Sequence, residues 1–325
     1  MDGTRLSVGV PTYNQCDTLR ATMLSLMAQD VPPFEIVVSD NHSTDATRDV
    51  LDEFRSAVRV VSPPAHMSGM RHWNFLVNQL RGDWFTLVCS DDEPMPGFVR
   101  VLRAGTLRSP NAVLVRSGWR TIDGDGRALG DHYLLSVRRL VRPPRTFREN
   151  LAGPKTSFAA FAVRKSAWES VGGFAAELAA LGDWVLWLRL SPLGDFVYEP
   201  AIITRYRVNY RPGLELERVP FELADEAIVA SQIIPDVRQQ LRGFDDVVIR
   251  NAQRARFLAR LARLCELVGP SDRDDIASAA RAWAGQIGCQ QELEQFREGR
   301  DFRARPAQLK RCIRPLASLL RWPWF

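Results

Sequence analysis

The chain has 325 residues, 46% of them hydrophobic and 25% charged, enough to bury a sizeable core in one large domain or two. Its formal net charge of +5 leans toward anionic partners, but the positive residues are interleaved with acids through most of the sequence, which argues against a nucleic-acid-binding module. Five cysteines (Cys16, Cys89, Cys265, Cys289, Cys312) form no C-x-x-C pair, so a zinc ribbon or disulfide scaffold is excluded and reduced thiols in the cytoplasm are expected.

No charged-then-apolar leader precedes the first strand, Leu6 to Val10, so secretion is not expected. That strand stops at Pro11-Thr12-Tyr13-Asn14, and Asp17 is placed to cap a helix whose apolar face is Leu19, Met23, Leu26 and Met27. Phe34 to Val38 reads as a second strand, ending at Ser39-Asp40 and a polar turn, with a helix following to about Phe54. A short strand Val58 to Val61, a helix Met70 to Leu80 and a strand Trp84 to Cys89 come next. After Pro96 a helix runs to about Arg108, and Ala112 to Val115 is the following strand. This alternation predicts an α/β fold, a mostly parallel sheet with helices on both faces. Ligands of such sheets sit outside the C-terminal strand ends. Pro11–Asn14, Ser39-Asp40 and Ser90-Asp91-Asp92 all fall at such ends.

Ser90-Asp91-Asp92 carries the most chemistry. Two adjacent carboxylates at the end of a buried strand suit either a solvated turn or a hard divalent cation holding a diphosphate. Farther on, Asp123-Gly124-Asp125-Gly126 signals a hairpin turn, since a calcium loop would need ligands that are missing downstream. The basic stretch Arg138 to Arg148 reads as a loop. Phe158 to Val163 is strand-like, a short helix starts at Lys165, another helix contains Asp183 to Leu188, and Ile202 to Tyr206 is the last strand. From Pro220 onward the pattern is helical, so a domain boundary is placed at Pro212-Gly213, giving residues 1–215 and 216–325.

Several motifs in order resemble family 2 inverting glycosyltransferases with the GT-A fold, over residues 5–210. Val8-Gly-Val-Pro-Thr-Tyr-Asn14 resembles the opening P-x-Y-N segment, and Val37 to Thr47 the D-[DN]-x-S-x-D-x-T segment. Met67 to Asn74 resembles the helix start that follows, Ser90-Asp91-Asp92 the D-x-D metal motif, and Gly172-Gly-Phe174 with Gly182-Asp-Trp the acceptor-side segment. The resemblance implies a sugar nucleotide as donor. Pro11, Thr12, Tyr13 and Asn14 would wall its base, although Tyr13 could equally be core. Asp40 would accept from base or ribose, and Arg71 and Asn74 would meet an anion or base edge, with a surface arginine the alternative for Arg71. Ser90 and Asp91 would face the nucleotide sugar, and Asp92 would bind Mg²⁺ or Mn²⁺. Asp183 would be the general base, alongside or instead of a helix N-cap; Gly182 precedes it where the family has a second acid. Arg205 and Arg207 would pair with phosphate, and Asn209 stands where a histidine is common.

Residues 300–325 combine arginines and lysine with Trp322, Trp324, Phe325 and leucines. They could contact an anionic membrane from the cytoplasmic side, dock on the domain or join a second copy of the chain in a homo-oligomer. A membrane contact would fit a lipid-linked glycan acceptor in surface-polysaccharide or O-antigen assembly. A dinucleotide oxidoreductase lacks its G-x-G-x-x-G and a P-loop enzyme its G-x-x-x-x-G-K-[ST]. A sugar-phosphate nucleotidylyltransferase lacks its glycine-rich first loop. The remaining rival is a catalytically inactive GT-A domain that binds nucleotide or glycan as an assembly subunit.

Overall fold

A computed structural model describes residues 4–208 and 214–299. The expectations for Asn209, for Pro212-Gly213 and for the basic segment 300–325 lie outside the described residues. The chain divides into two compact units. One comprises Met1–Pro143, Thr156–Glu177 and Leu193–Tyr210; the other comprises Pro144–Lys155, Leu178–Pro192 and Arg211–Phe325. Two stretches that precede residue 215, Pro144–Lys155 and Leu178–Pro192, thus belong to the same unit as the C-terminal helices.

The first unit begins β1 (Leu6–Thr12), α1 (Cys16–Met27), β2 (Glu35–Asp40), α2 (Thr47–Glu53), β3 (Arg59–Val61), α3 (Gly69–Gln79) and β4 (Trp84–Leu87). It continues through β5 (Glu93–Pro94), α4 (Phe98–Thr106), β6 (Ala112–Ile122), β7 (Ala128–His132) and β8 (Arg139–Val141). The second unit takes α5 (Arg145–Asn150), after which β9 (Phe161–Arg164) and α6 (Lys165–Ser170) return to the first. The second unit then holds α7 (Gly182–Leu190), and the first closes with β10 (Asp195–Arg207).

The sheet runs β3-β2-β1-β4-β9-β6-β10-β5, with β7 added to β6 and β8 to β10. β1 pairs parallel with β2 and β4, and β2 with β3, as the alternation predicts. β9 enters antiparallel to both β4 and β6, so the sheet is mixed. Strand direction depends on where the chain re-enters the sheet, which hydrophobic periodicity does not report. Gly9 lets α3 approach β1: a Cβ there would lie 2.7 Å from Leu87 Cδ2 and 3.1 Å from Leu76 Cδ2.

Three local expectations are corrected. α1 starts at Cys16, so Asp17 lies inside its first turn and Gln15 holds the cap position. The basic stretch expected as a loop contains β8 and α5. β10 begins seven residues before Ile202 and runs through Glu199 and Pro200. Glu199 is tolerated there because Arg138 Nε reaches both its oxygens, at 3.0 and 2.8 Å, and Arg108 reaches one at 3.2 Å. Pro200 sits at a register shift between Glu199 and Ile202.

The second unit continues with α8 (Leu214–Ile228), a π-helical turn, α9 (Ile234–Gln239), α10 (Asp246–Leu267), α11 (Arg273–Ile287) and α12 (Gln290–Arg297). Val219, Leu223, Phe257, Leu261, Leu264, Trp283 and Phe296 belong to its buried core. Within α7, Trp184, Val185, Leu186, Trp187, Leu188 and Leu190 are all buried, which explains why its sequence shows no polar face.

Candidate active site

The C-terminal ends of the parallel strands open into a cleft of about 380 Å³. Its lining comes from four successive strand ends and connections: Pro11 and Thr12 at the end of β1 with Tyr13 and Gln15 after it; Asn41 after β2; His66 to Gly69, His72 and Trp73 before and within α3; and Cys89, Ser90 and Asp91 after β4. This is the crevice rule for open α/β sheets, realised on one edge.

The connections are stitched together by short polar side chains. Asn14 adopts φ +50°, a left-handed conformation asparagine tolerates better than most residues. From there its Oδ1 accepts from Thr44 N at 2.8 Å, and its own N–H donates to Ser43 Oγ at 3.0 Å. Asn41 clamps Met67, donating to its carbonyl at 2.8 Å and accepting from its N–H at 2.9 Å. Asp40, 3% exposed, accepts from Ser43 N at 3.0 Å, so one of its oxygens serves the turn after β2. Asn14 and Asp40 therefore shape the cleft from behind its lining.

Tyr13 is 44% exposed, which rules out the core alternative, and its ring lies 4.6 Å from that of His66 at a tilt of 54°. The pair offers an aromatic rim to a flat ligand. His72 is buried, with Nε2 2.8 Å from Ser39 Oγ, and burial pushes its pKa down to about 4. It is a neutral wall near pH 7. Sequence reasoning passed over His66, His72, Trp73, Asn41 and Gln15 and chose Arg71 and Asn74 from the same segment. The structure leaves Arg71 exposed on α3, outside the lining. Asn74 faces another way: it donates to Phe174 O and accepts from Phe174 N, each at 2.9 Å. Gly173 makes that contact possible, since at φ +80° a Cβ would lie 2.7 Å from Asn74 Oδ1. The available signal was helical phase, because 71 and 74 share a face that 72 and 73 leave.

At the end of β4 the chain turns through Ser90 and Asp91, and Ser90 O accepts from Thr18 Oγ1 at 2.9 Å. Asp91 borders the cleft, whereas Asp92 is 1% exposed beneath it. Burial raises the Asp91 pKa, and burial with the neighbouring Asp91 charge raises that of Asp92 well above the carboxylate range. Asp92 Oδ1 accepts from Arg207 N at 3.0 Å; among the described residues its buried Oδ2 has no hydrogen-bond partner. The Cys89 Sγ and one oxygen of each carboxylate lie within 4.8 Å of one another. An unpartnered carboxylate oxygen beside a second carboxylate fits a divalent cation.

Arg205 and Arg207 take a different place from the one expected. Arg207 is 8% exposed and donates to Asp91 O at 3.1 Å, to Asp123 O at 3.0 Å, to Gly124 O at 2.7 Å and to Glu93 Oε1 at 2.5 Å. Arg205 reaches Glu93 Oε2 at 2.6 Å and Gly126 O at 2.5 Å. Both guanidinium groups tie the last strand to the β6–β7 turn, and that of Arg207 also braces the Asp91 carbonyl.

In the second unit, Asp183 is half-buried at the second position of α7. Leu181 occupies the cap position and makes no side-chain cap, so the N-cap reading of Asp183 is corrected; its Oδ1 accepts from Trp184 N at 2.7 Å. Burial pushes its pKa up to about 6, against the pull of that N–H and of the Arg256 and Arg218 charges.

A crevice at the C-terminal strand ends, with an aromatic rim and a carboxylate pair of which Asp92 is buried, belongs to an α/β fold of the GT-A kind. Residues 7–171 match the model of glycosyl transferase family 2, and the chain belongs to that family. It is 22% identical to the chondroitin synthase of Pasteurella multocida (strain Pm70) over 246 residues, 74% of this chain and 24% of that one. It is 46% identical over 57 residues, 17% of this chain and 13% of the relative, to the validoxylamine A glucosyltransferase of Streptomyces hygroscopicus subsp. limoneus. The chain spans about a quarter of the length of the chondroitin and hyaluronan synthases it matches. Its fold is similar to that of S. aureus TarS 1–349 in complex with UDP-GlcNAc, with a TM-score of 0.60, 17% identity and coverage of 91% of this chain and 92% of that one.

Proposed function

We propose that the chain is an inverting glycosyltransferase that moves a sugar from a nucleotide-sugar donor to a hydroxyl of a glycan or lipid-linked glycan, in surface-polysaccharide or O-antigen assembly. The observation that carries the reading is Asp92 Oδ2, a buried carboxylate oxygen without a hydrogen-bond partner among the described residues, next to Asp91 at the strand ends. Asp92, Asp91 and Cys89 would hold Mg²⁺ or Mn²⁺, which supplies charge stabilisation for a leaving nucleoside diphosphate.

The chain's own residues then divide the work. Tyr13 and His66 take the base, Pro11, Thr12 and Ser90 shape the wall around the nucleotide, and Asp40 holds the turn beneath the ribose. Asp183 accepts the proton of the acceptor hydroxyl while that oxygen attacks the anomeric carbon opposite the departing diphosphate, with inversion. A base with a pKa of about 6 is ionised at neutral pH yet still basic enough to accept a proton. The proposal places the protein at the cytoplasmic face of the membrane, in contact through residues 300–325 and open to self-association; no described helix is long and apolar enough to cross a membrane.

Calorimetry with UDP, GDP and dTDP in the presence of Mn²⁺ tests the donor side, UDP first because the TarS structures hold UDP-GlcNAc and UDP. One nucleotide should bind with a metal-dependent heat that Asp92→Asn removes. Absence of heat from all three in a folded wild-type protein overturns the reading.

A further inference from the structure

The segment that leads into Asp183 has no regular structure of its own, yet it is held tightly. Ala179 N donates to Asp225 Oδ1 at 3.3 Å, and Ala180 N and Leu181 N donate to Asp225 Oδ2 at 2.7 and 3.0 Å. Asp225 sits on α8 and is 4% exposed. The next residue, Glu226, is equally buried and takes Arg256 Nε through both oxygens, at 2.7 and 2.8 Å. Arg256 in turn lies 4.2 Å over the Trp184 ring and donates to Ala152 O at 3.3 Å. Trp184 is fixed at its other end, where Nε1 donates to Asn150 O at 2.7 Å. Asp183 is therefore bounded on one side by a backbone anchored to Asp225 and on the other by an indole anchored to Arg256 and Glu226.

We propose that Asp225 and Glu226 are positioning residues for the reaction: they fix the direction of the Asp183 carboxylate, one through the 179–181 backbone and the other through Arg256 against Trp184. This rests on Asp183 being the base. Two adjacent buried carboxylates on one helix each carry a desolvation cost of several kcal/mol, which apolar residues of the same size would avoid. What an apolar face could not supply is three directed, charge-assisted bonds to the turn that sets the base. A displacement of about 1 Å in a catalytic group costs on the order of a hundredfold in rate, so a support of this kind has a measurable consequence. The C-terminal helices are then part of the catalytic apparatus, although the family match ends at residue 171, before α8 begins.

The experiment uses the full chain with Asp225→Asn, which keeps the shape but turns an amide N–H₂ toward one of the backbone donors. Arg256→Met is the second variant; it keeps the stem against Trp184 and removes the charge. Asp246→Asn, at the exposed Arg238–Asp246 pair of the same unit, is the control. The expected result is a fall in kcat of about a hundredfold in both test variants. Donor KM and nucleoside diphosphate affinity should stay within about twofold, the control should be unchanged, and Asp183→Asn/Asp225→Asn should be no slower than Asp183→Asn alone. Wild-type kcat in folded Asp225→Asn and Arg256→Met, a loss that appears in donor affinity instead, or a double variant in which the two losses add in full, overturns the proposal. Should Asp183→Asn itself keep wild-type kcat, the base assignment fails, and that outcome is separate from any result at Asp225.

Discussion

The acidic pair Asp91-Asp92 and the single acid Asp183 are supported in opposite ways. The pair is delivered by chain order, since a parallel strand ends where its crevice must be, and Arg207 of β10 braces it by donating to the Asp91 carbonyl and, from its backbone N–H, to the Asp92 carboxylate. Asp183 depends on α8 and α10, remote in sequence and free of any recognisable motif. One site is written into the alternation of strands and helices. The other is assembled by tertiary packing, so its supports can change in sequence as long as their bonds are replaced.

Four measurements would sharpen or break that contrast. Asp183→Asn has the largest expected effect, a fall in kcat of about 10²- to 10⁴-fold with nucleotide and metal binding unchanged by calorimetry. A parallel loss of nucleotide binding would mean that the two supports are not separable. In the wild type, kcat should drop as pH falls through about 6, because protonation of Asp183 removes the base, and should level off above that value. Arg207→Met comes next: it removes the buried guanidinium that serves Glu93 Oε1 and the Asp91, Asp123 and Gly124 carbonyls, so denaturant unfolding should show a cost of about 3 kcal/mol, with weaker nucleoside diphosphate binding. Stability equal to wild type would remove Arg207 from the support of the pair. Tyr13→Ala should weaken nucleoside diphosphate binding about tenfold, while Tyr13→Phe leaves it unchanged, because stacking needs the ring and not the hydroxyl. Equal affinity in the alanine variant would take the aromatic rim out of the site.

Legibility in the sequence followed the same contrast. The strands β1 to β4 and the loops after β1, β2 and β4 were readable because each pairs an apolar run with turn chemistry. Tyr13, Thr12, Ser90 and Asp91 accordingly line the cleft. For Arg207 the sequence shows a charge but not the carbonyls of Asp123 and Gly124 that meet it in the structure. His72 and Trp73 were missed because the phase of α3 against the sheet decides which residues of Met67 to Asn74 face the cleft.

The sequence by itself determined the α/β class, the parallel strands with their crevice, the family and the acidic residues worth testing. These depend on local periodicity and on motifs within a few residues of one another. Only the tertiary structure decided that β9 runs antiparallel, that Arg205 and Arg207 close on Glu93, and that Asp225 and Arg256 hold the start of α7. Those outcomes turn on which buried donors and acceptors meet across tens of residues, and burial forces such groups to find partners without fixing in advance which ones.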